Sequence, residues 1–312
     1  MSALIRWYGG KGVIARRILP YIPAGGKPYC EPFAGGLAIL LAREPAPVEI
    51  VNDLDERIVH FYRTLQDEAK YQRLRHMLEW TPYARSEFAR ALDVLSRWDE
   101  TEDDVLRAWA MYVAHNFAVS ASPRTVGDFS VGIQVNAALP HYNRVNKLDT
   151  FRERLARVVI EHDDALRCIA RWDTPEAVFY LDPPYHSDTR KSKRVYAVEA
   201  DHALHEQLVT LLLSVKGAVT LSCYWHPVYQ PLIDAGWARV DFPTVCHAAA
   251  STRTSGLRGA GAAKAKVPRV ETLLINPRAQ QMLSLQRGGM IVDGGHQFAD
   301  FTTARTDGCA PR

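Results

Sequence analysis

The sequence predicts an α/β protein, and three observations predict it. A short strand signal at residues 27–32 runs into the glycine turn Phe33-Ala34-Gly35-Gly36, and a β-branched run at 48–52 leads to Asp53. Strand signals return late, at 178–181, 218–223, 238–242 and 270–275. Between the two groups apolar residues recur at helical spacing, as in Ile58, Phe61, Tyr62 and Leu65, or Val105, Trp109, Tyr112 and Val113. Strand, glycine turn, helix, strand, acid is a Rossmann-like opening. The order therefore reads as a discontinuous Rossmann-like domain, 1–55 and 156–277, split by a mostly helical insertion at 56–155. A tail at 278–312 has weak periodicity and is expected to be partly disordered.

The remaining elements follow in turn. Residues 37–43 read as the buried start of a helix. Residues 120–146 are polar and punctuated by Gly and Pro, with a hairpin around 127–132. Residues 151–159 read as helix. Asp201 is placed to cap a helix that ends near Lys216-Gly217. Residues 248–268 are rich in Gly, Ala and Ser and are basic. Trp80, Trp98, Trp109 and Trp172 fall in or beside helical patterns and read as core.

Composition narrows the class. With 47% hydrophobic and 23% charged residues over 312 positions, the chain is a folded protein rather than a disordered or fibrous one. A net charge of +3 is too mild to argue for a polyanionic partner, so that case rests on where the charges sit. The five cysteines are scattered and never spaced as CxxC, which disfavours a zinc ribbon or a disulfide framework. The first ten residues lack an apolar core, and the apolar run at 208–215 is too short to span a bilayer. The reading is a reduced, cytoplasmic protein.

The strongest chemical signal is Tyr180-Leu181-Asp182-Pro183-Pro184-Tyr185. Proline fixes φ, forces the preceding residue into an extended form and has no N–H. The turn can then present the Asp182 carboxylate, a main-chain carbonyl and the flat Tyr185 ring on one rigid edge. Such an array suits a planar amine: two acceptors take its protons and the ring stacks on its heterocycle. Taken alone, this run is also compatible with an ordinary surface turn. The second signal is Glu31-Pro32-Phe33-Ala34-Gly35-Gly36, where glycine permits close approach of a ligand to the backbone. It departs from GxGxxG, so a dinucleotide is disfavoured, while Asp53 at the end of the next strand suits ribose hydroxyls. The third is Arg6-Trp7-Tyr8-Gly9-Gly10-Lys11, which is not a P-loop because Gly12 stands where Ser or Thr is needed. An aromatic, two glycines and a lysine there can cover a nucleoside and meet a carboxylate. His186 follows the strongest motif and can lie in the site. His115 and His141 read as ordinary residues, with no second ligand at HxxxH spacing.

In this order the three motifs resemble the Dam-type DNA adenine methyltransferases. The resemblance also takes in Val51-Asn52-Asp53-Leu54-Asp55, the helical insertion, the run from Thr189 to Tyr196 and the Val270-Glu271-Thr272-Leu273-Leu274-Ile275-Asn276 strand, and so covers about residues 4–277. It implies an S-adenosylmethionine-dependent methyltransferase domain of Rossmann-like fold with an inserted, mostly helical target-recognition domain. Trp7, Tyr8 and Lys11 then match N-terminal cofactor contacts. Glu31, Phe33, Ala34 and Gly35 match the loop under the methionine part of S-adenosylmethionine. Asp53 matches the acid on the ribose and Asp164 an acid near the adenine, though Ala165 departs from the aromatic that often follows. Asp182, Pro183, Pro184 and Tyr185 match the catalytic motif, with Asp182 also beside the cofactor.

The expected chemistry is direct. Asp182 and the Pro183 carbonyl accept the amine's protons, which frees its lone pair for in-line attack on the sulfonium methyl. No metal is required, and a paired base must flip out of the duplex, to stack on Tyr185. Double-stranded DNA is the expected partner of a monomer, with phosphate contacts from Arg124, Arg190, Lys191, Lys193, Arg194, Arg253 and Arg258, and from Lys264, Lys266 and Arg269 further along the basic stretch. Residues 124–131 resemble in outline the hairpin with which Dam members read GATC. Two other readings stay open: the same chemistry on cytosine N-4, RNA or a protein glutamine amide, and a non-catalytic DNA-binding protein on the same fold.

Overall fold

Short apolar strands covered on both faces by helices build the centre of the chain, as a largely parallel sheet requires. The structure is a computed structural model that describes residues 3–7, 9–119, 126–131, 136–186, 188, 202–245 and 268–288. Its strands are β1 (Tyr29–Glu31), β2 (Glu49–Asn52), β3 (Val158–Glu161), β4 (Val178–Leu181), β5 (Ala218–Cys223), β6 (Ala238–Val245) and β7 (Pro268–Ile275). They form one sheet in the order β3-β2-β1-β4-β5-β7-β6. β1 to β5 run parallel, and β7 lies antiparallel between β5 and β6. Side chains alternate across the sheet. Tyr29, Val51, Val178 and Tyr180 enter one apolar cluster, while Cys30, Ile50, Phe179 and Leu181 enter the other.

The helices are α1 (Ala15–Ile18), α2 (Glu56–Gln66), α3 (Glu68–Glu79), α4 (Arg85–Ser96), α5 (Asp104–Phe117), α6 (Leu139–Val145), α7 (Leu148–Leu155), α8 (Ala165–Trp172), α9 (His202–Leu212), α10 (Gln230–Asp234) and α11 (Pro277–Gly288). Six of them, α2 to α7, lie between β2 and β3. Asp55, Asp67 and Asp103 cap α2, α3 and α5 by accepting N–H bonds of the first turn. α5 is buried nearly all round, from Val105 to Phe117, and the other helices pack around it.

The structure corrects several element boundaries. Residues 37–43 form successive turns rather than a helix. Leu37 has φ 55°, and its N–H bonds the Ala34 carbonyl at 2.9 Å, so the chain leaves the glycine turn too tightly curled for a regular helix. The expected helix at 151–159 ends at Leu155, and the β-branched run Val158-Val159-Ile160 pairs with β2 as β3. α9 stops at Leu212, and Asp173 takes the Lys216 and Gly217 N–H groups; Asp201 lies outside the described residues. The start of the expected disordered tail is α11, capped by Asn276 and anchored by buried Ala279 and Leu283, while 289–312 lie outside the described residues. Of the expected hairpin at 127–132, the described residues show Phe129 bridged to Ala118, and residue 132 lies outside them. Trp98 and Trp109 are buried and Trp172 partly so, but Trp80 follows the last residue of α3 and is 76% exposed. No described helix is long and apolar enough to cross a membrane.

Candidate active site

The strand order reverses between β1 and β4, and the crevice beyond the carboxyl ends of strands at such a point is where ligands bind in open α/β sheets. Three acids reach that crevice: Glu31 ends β1, Asp53 follows β2 and Asp182 follows β4. A cavity of about 240 Å³ opens there. Its walls include Trp7, Lys11, Glu31, Phe33, Ala34, Gly35, Asp53, Asp164, Asp182 and Pro184, brought together from five separate stretches of chain.

The glycine turn is held from below. Asp53 accepts the Gly35 N–H through Oδ2 at 2.8 Å and the Asp55 N–H through Oδ1 at 3.0 Å. Both oxygens are thus already engaged with backbone, so Asp53 anchors the turn as well as lining the cavity. Burial lifts its pKa to about 6. Tyr62 donates its hydroxyl to the Gly35 carbonyl. Trp7 lies over Gly35 and stacks on His115, with centroids 5.5 Å apart and planes 12° apart. Burial lowers His115 to about 4, so the ring under Trp7 is neutral at pH 7.

Gly35 has φ +44°, and a Cβ there meets Trp7 Cδ1 at 2.8 Å. Gly35→Ala is therefore expected to destabilise the fold by about 1–3 kcal/mol through backbone strain and displacement of Trp7. Chemical denaturation reads the loss; wild-type stability in Gly35→Ala contradicts this account of the turn.

Two further acids have local duties. Glu31 accepts the Tyr29 hydroxyl at 2.7 Å, and burial raises it to about 7. Asp164 caps α8 through Oδ1, accepting from Leu166 N at 2.9 Å and Arg167 N at 3.1 Å.

Lys11 organises the centre. Its Nζ donates to Asp182 Oδ1 at 2.7 Å, to the Tyr185 hydroxyl at 2.6 Å and to the Gly9 carbonyl at 3.0 Å, and it sits 3.7 Å from Glu271. Burial opposes its charge, but Asp182 and then Glu271 more than offset this, and its pKa is raised. Asp182 rises to about 6, because burial outweighs the pull of Lys11 and Glu271 adds a like charge. Its side chain remains 21% exposed, and among the described residues only Oδ1 takes a hydrogen bond.

Tyr185 differs from the expected open stacking platform. The residue is 6% exposed. Tyr224 tilts against its ring at 4.2 Å between centroids, and Lys11 Nζ lies 4.8 Å from the ring centre. Its hydroxyl accepts from Lys11 and donates to Glu271 at 2.6 Å. In this conformation Tyr185 joins Lys11 to Glu271 and is buried against Tyr224. Pro183 is buried beside Asp182, and Pro184 lines the cavity.

Sequence reasoning missed Glu271, Ser222 and Tyr224. Glu271 is 3% exposed on β7, and Ser222 on β5 donates to it. The available signal was an acid inside an otherwise apolar strand, since a buried carboxylate needs partners. His186 is buried close by, stacked on His226 at 3.8 Å, with its Nε2 2.9 Å from His202 Nδ1. His186, Asp188 and His226 place one polar atom each within 4.8 Å of one another. His226 Nδ1 accepts the Val228 N–H at 3.2 Å, which puts the ring proton on Nε2, the atom facing Asp188.

Tyr8, Arg124, Arg190, Lys191, Lys193, Arg194, Arg253, Arg258, Lys264 and Lys266 lie outside the described residues, as does the Arg269 side chain.

Residues 7–224 match the family described as D12 class N6 adenine-specific DNA methyltransferase. The chain is 25% identical over 192 residues to the Retron Ec67 DNA adenine methylase of Escherichia coli, covering 59% of this chain and 64% of that protein. It is 36% identical over 67 residues to the DNA N-6-adenine-methyltransferase of Escherichia phage P1, covering 22% of this chain and 9% of that one. The matches thus span less than two thirds of either relative. A solved structure of the rRNA methyltransferase aviRa from Streptomyces viridochromogenes aligns over 87% of this chain and 84% of that one, at 14% identity and a TM-score of 0.33.

Proposed function

The chain belongs to the D12 class N6 adenine-specific DNA methyltransferase family, and on that premise we propose that it methylates the exocyclic amine of adenine in double-stranded DNA. One observation carries the reading at the level of atoms. Asp182 stands at the cavity with Oδ1 engaged by Lys11 and Oδ2 taking no hydrogen bond from a described residue.

The implied methyl donor is S-adenosylmethionine, which carries a sulfonium and an ammonium beside one carboxylate and is a net cation. A cavity walled by Glu31, Asp53 and Asp182 has the charge to receive it, and Trp7 and Phe33 supply apolar surface. When bound, the donor supplies an electrophilic methyl group. The chain's own residues do the rest. Oδ2 of Asp182 and the Pro183 carbonyl accept hydrogen bonds from the amine's two N–H groups, which draws the nitrogen lone pair out of conjugation with the ring; as the nitrogen takes the methyl group it sheds one proton, and Asp182 is the base placed to take it. Lys11 keeps Oδ1 neutralised and the carboxylate oriented. Holding the amine in line removes most of the entropic barrier. A base within a duplex does not reach this depth, so it flips, and stacking on Tyr185 requires Tyr224 to move aside. The helices of the insertion, α2 to α7, supply the surface nearest the sequence to be read, and the basic segments at 190–194, before α9, and at 253–269, leading into β7, supply phosphate contacts.

The acids give a pH test. Glu31 stands at about 7, Asp53 and Asp182 at about 6, all raised by burial. A cationic ligand favours their ionised forms, so binding releases protons near pH 6, and affinity falls as the pH drops below that value. Titration calorimetry with S-adenosylmethionine in two buffers of different ionisation enthalpy reads the release. Equal heats in both buffers at pH 6 contradict it.

A further inference from the structure

We infer that Glu271 is a positioning residue of this site: through Tyr185 and Lys11 it fixes which oxygen of Asp182 is engaged and which stays open. The inference rests on the methyl-transfer reading above and adds a residue to it.

The topology explains how Glu271 arrives. β1, β2 and β4 deliver their acids at their carboxyl ends, as parallel strands do. β7 runs the opposite way, with Cys223 paired to Thr272, so the first half of β7 lies at the same sheet edge as the end of β5. Glu271 thereby reaches Tyr185 and Lys11 from the β5–β7 side of the sheet. Its Oε1 accepts from Ser222 Oγ and from the Tyr185 hydroxyl at 2.6 Å. A tyrosine that donates to Glu271 must turn its lone pair elsewhere, and that lone pair accepts from Lys11 at 2.6 Å. Lys11 has three protons, and the Gly9 carbonyl and Tyr185 take two of them. The third is then aimed at Asp182 Oδ1 at 2.7 Å. Ser222 and Tyr185 both donate to Glu271, and Lys11 donates both to Tyr185 and to Asp182, so one connected network joins Glu271 to Asp182. Glu271→Gln keeps an oxygen for the tyrosine proton and withdraws the negative charge that faces Lys11 and Asp182, whereas Tyr185→Phe removes the link itself.

Glu271 also carries charge toward Asp182. The groups that bear on Asp182 are Lys11 from the N-terminal loop, Glu271 from β7, Tyr180 from β4, Tyr185 from the proline turn, Glu31 from β1 and Cys223 from β5. Glu271 is the like charge among them that raises Asp182 most. Exchanging it for a neutral residue of the same shape therefore lowers the pKa of Asp182.

The experiment compares wild type, Glu271→Gln, Tyr185→Phe and the double variant. Each single variant is expected to lose on the order of 100-fold in kcat with little change in KM for DNA, as for a misdirected catalytic group. Because both residues act through one network, the double variant falls no further than the worse single. The acid limb of kcat/KM moves to lower pH in Glu271→Gln, which a merely structural loss does not produce. Should Glu271→Gln fail to fold, Ser222→Ala replaces it in the cycle with Tyr185→Phe, with the same non-additive result expected. Multiplicative losses, or an acid limb that stays in place in Glu271→Gln, overturn the inference. The titration of Asp182 followed by carbon-13 NMR of labelled aspartate needs no turnover. A lower midpoint in Glu271→Gln supports the network even if wild type transfers no methyl group, a failure that counts against the methyl-transfer reading alone. An unchanged midpoint overturns the network.

Discussion

Asp182→Ala is expected to lower turnover on the order of 1,000-fold or more while cofactor and DNA still bind. The carboxylate meets the amine most strongly as positive charge grows on nitrogen, so its loss falls on the transition state rather than on affinity. Asp182→Asn is expected to be nearly as damaging, and the geometry says why. Oδ1 accepts from Lys11 and Oδ2 is the acceptor offered to the amine. An amide has one oxygen for these two duties. If that oxygen faces Lys11, an NH₂ group faces the substrate amine, and if it faces the amine, the NH₂ group faces the ammonium. Rapid-quench assays give kcat, and fluorescence anisotropy on duplex DNA gives affinity. Near-normal turnover in Asp182→Ala removes this carboxylate from the chemistry and favours a non-catalytic protein on the same fold.

Lys11→Met is expected to act on stability and on pH dependence together. Lys11 is 5% exposed, and its removal leaves Asp182 and Glu271 facing each other without a counter-charge. Breaking a buried pair in this way costs about 3–5 kcal/mol. The system relieves the cost by protonation. Burial already holds Asp182 at about 6, and Lys11 is the group that pulls it down. Without Lys11 the value rises further. The destabilisation is therefore smallest at pH 5, where Asp182 is protonated, and grows as the pH climbs through and beyond 6. The acid limb of activity moves up, opposite to the shift expected for Glu271→Gln. Denaturant titrations at pH 5 and pH 8 test the first statement; equal losses at both contradict it.

What was legible in the sequence was what is contiguous in it. The proline turn, the glycine turn and the acid after β2 each sit within a few residues, and the fold brings all three to one edge. The use of an acid was less legible than its position. Asp53 and Asp164 line the cavity, but both are also tied to backbone N–H groups, which no spacing reveals. Tyr185 reads as a flat exposed ring in sequence and is closed by Tyr224, because contact between neighbouring turns is decided by packing. Glu271 was hidden for a topological reason. Its partner Lys11 lies at the other end of the chain, and only the antiparallel direction of β7 carries it to the acid edge. β3 was hidden because its β-branched run follows α7 after only a short turn, so helical periodicity runs on into it.

The central claim is methyl transfer to the amine of adenine in duplex DNA. Duplex DNA incubated with the protein and methyl-labelled S-adenosylmethionine, digested to nucleosides and analysed by mass spectrometry, tests it most directly. The account predicts N6-methyladenine as the sole labelled nucleoside, absent when Asp182→Ala replaces wild type; label confined to cytosine, or none in the DNA at all, contradicts it.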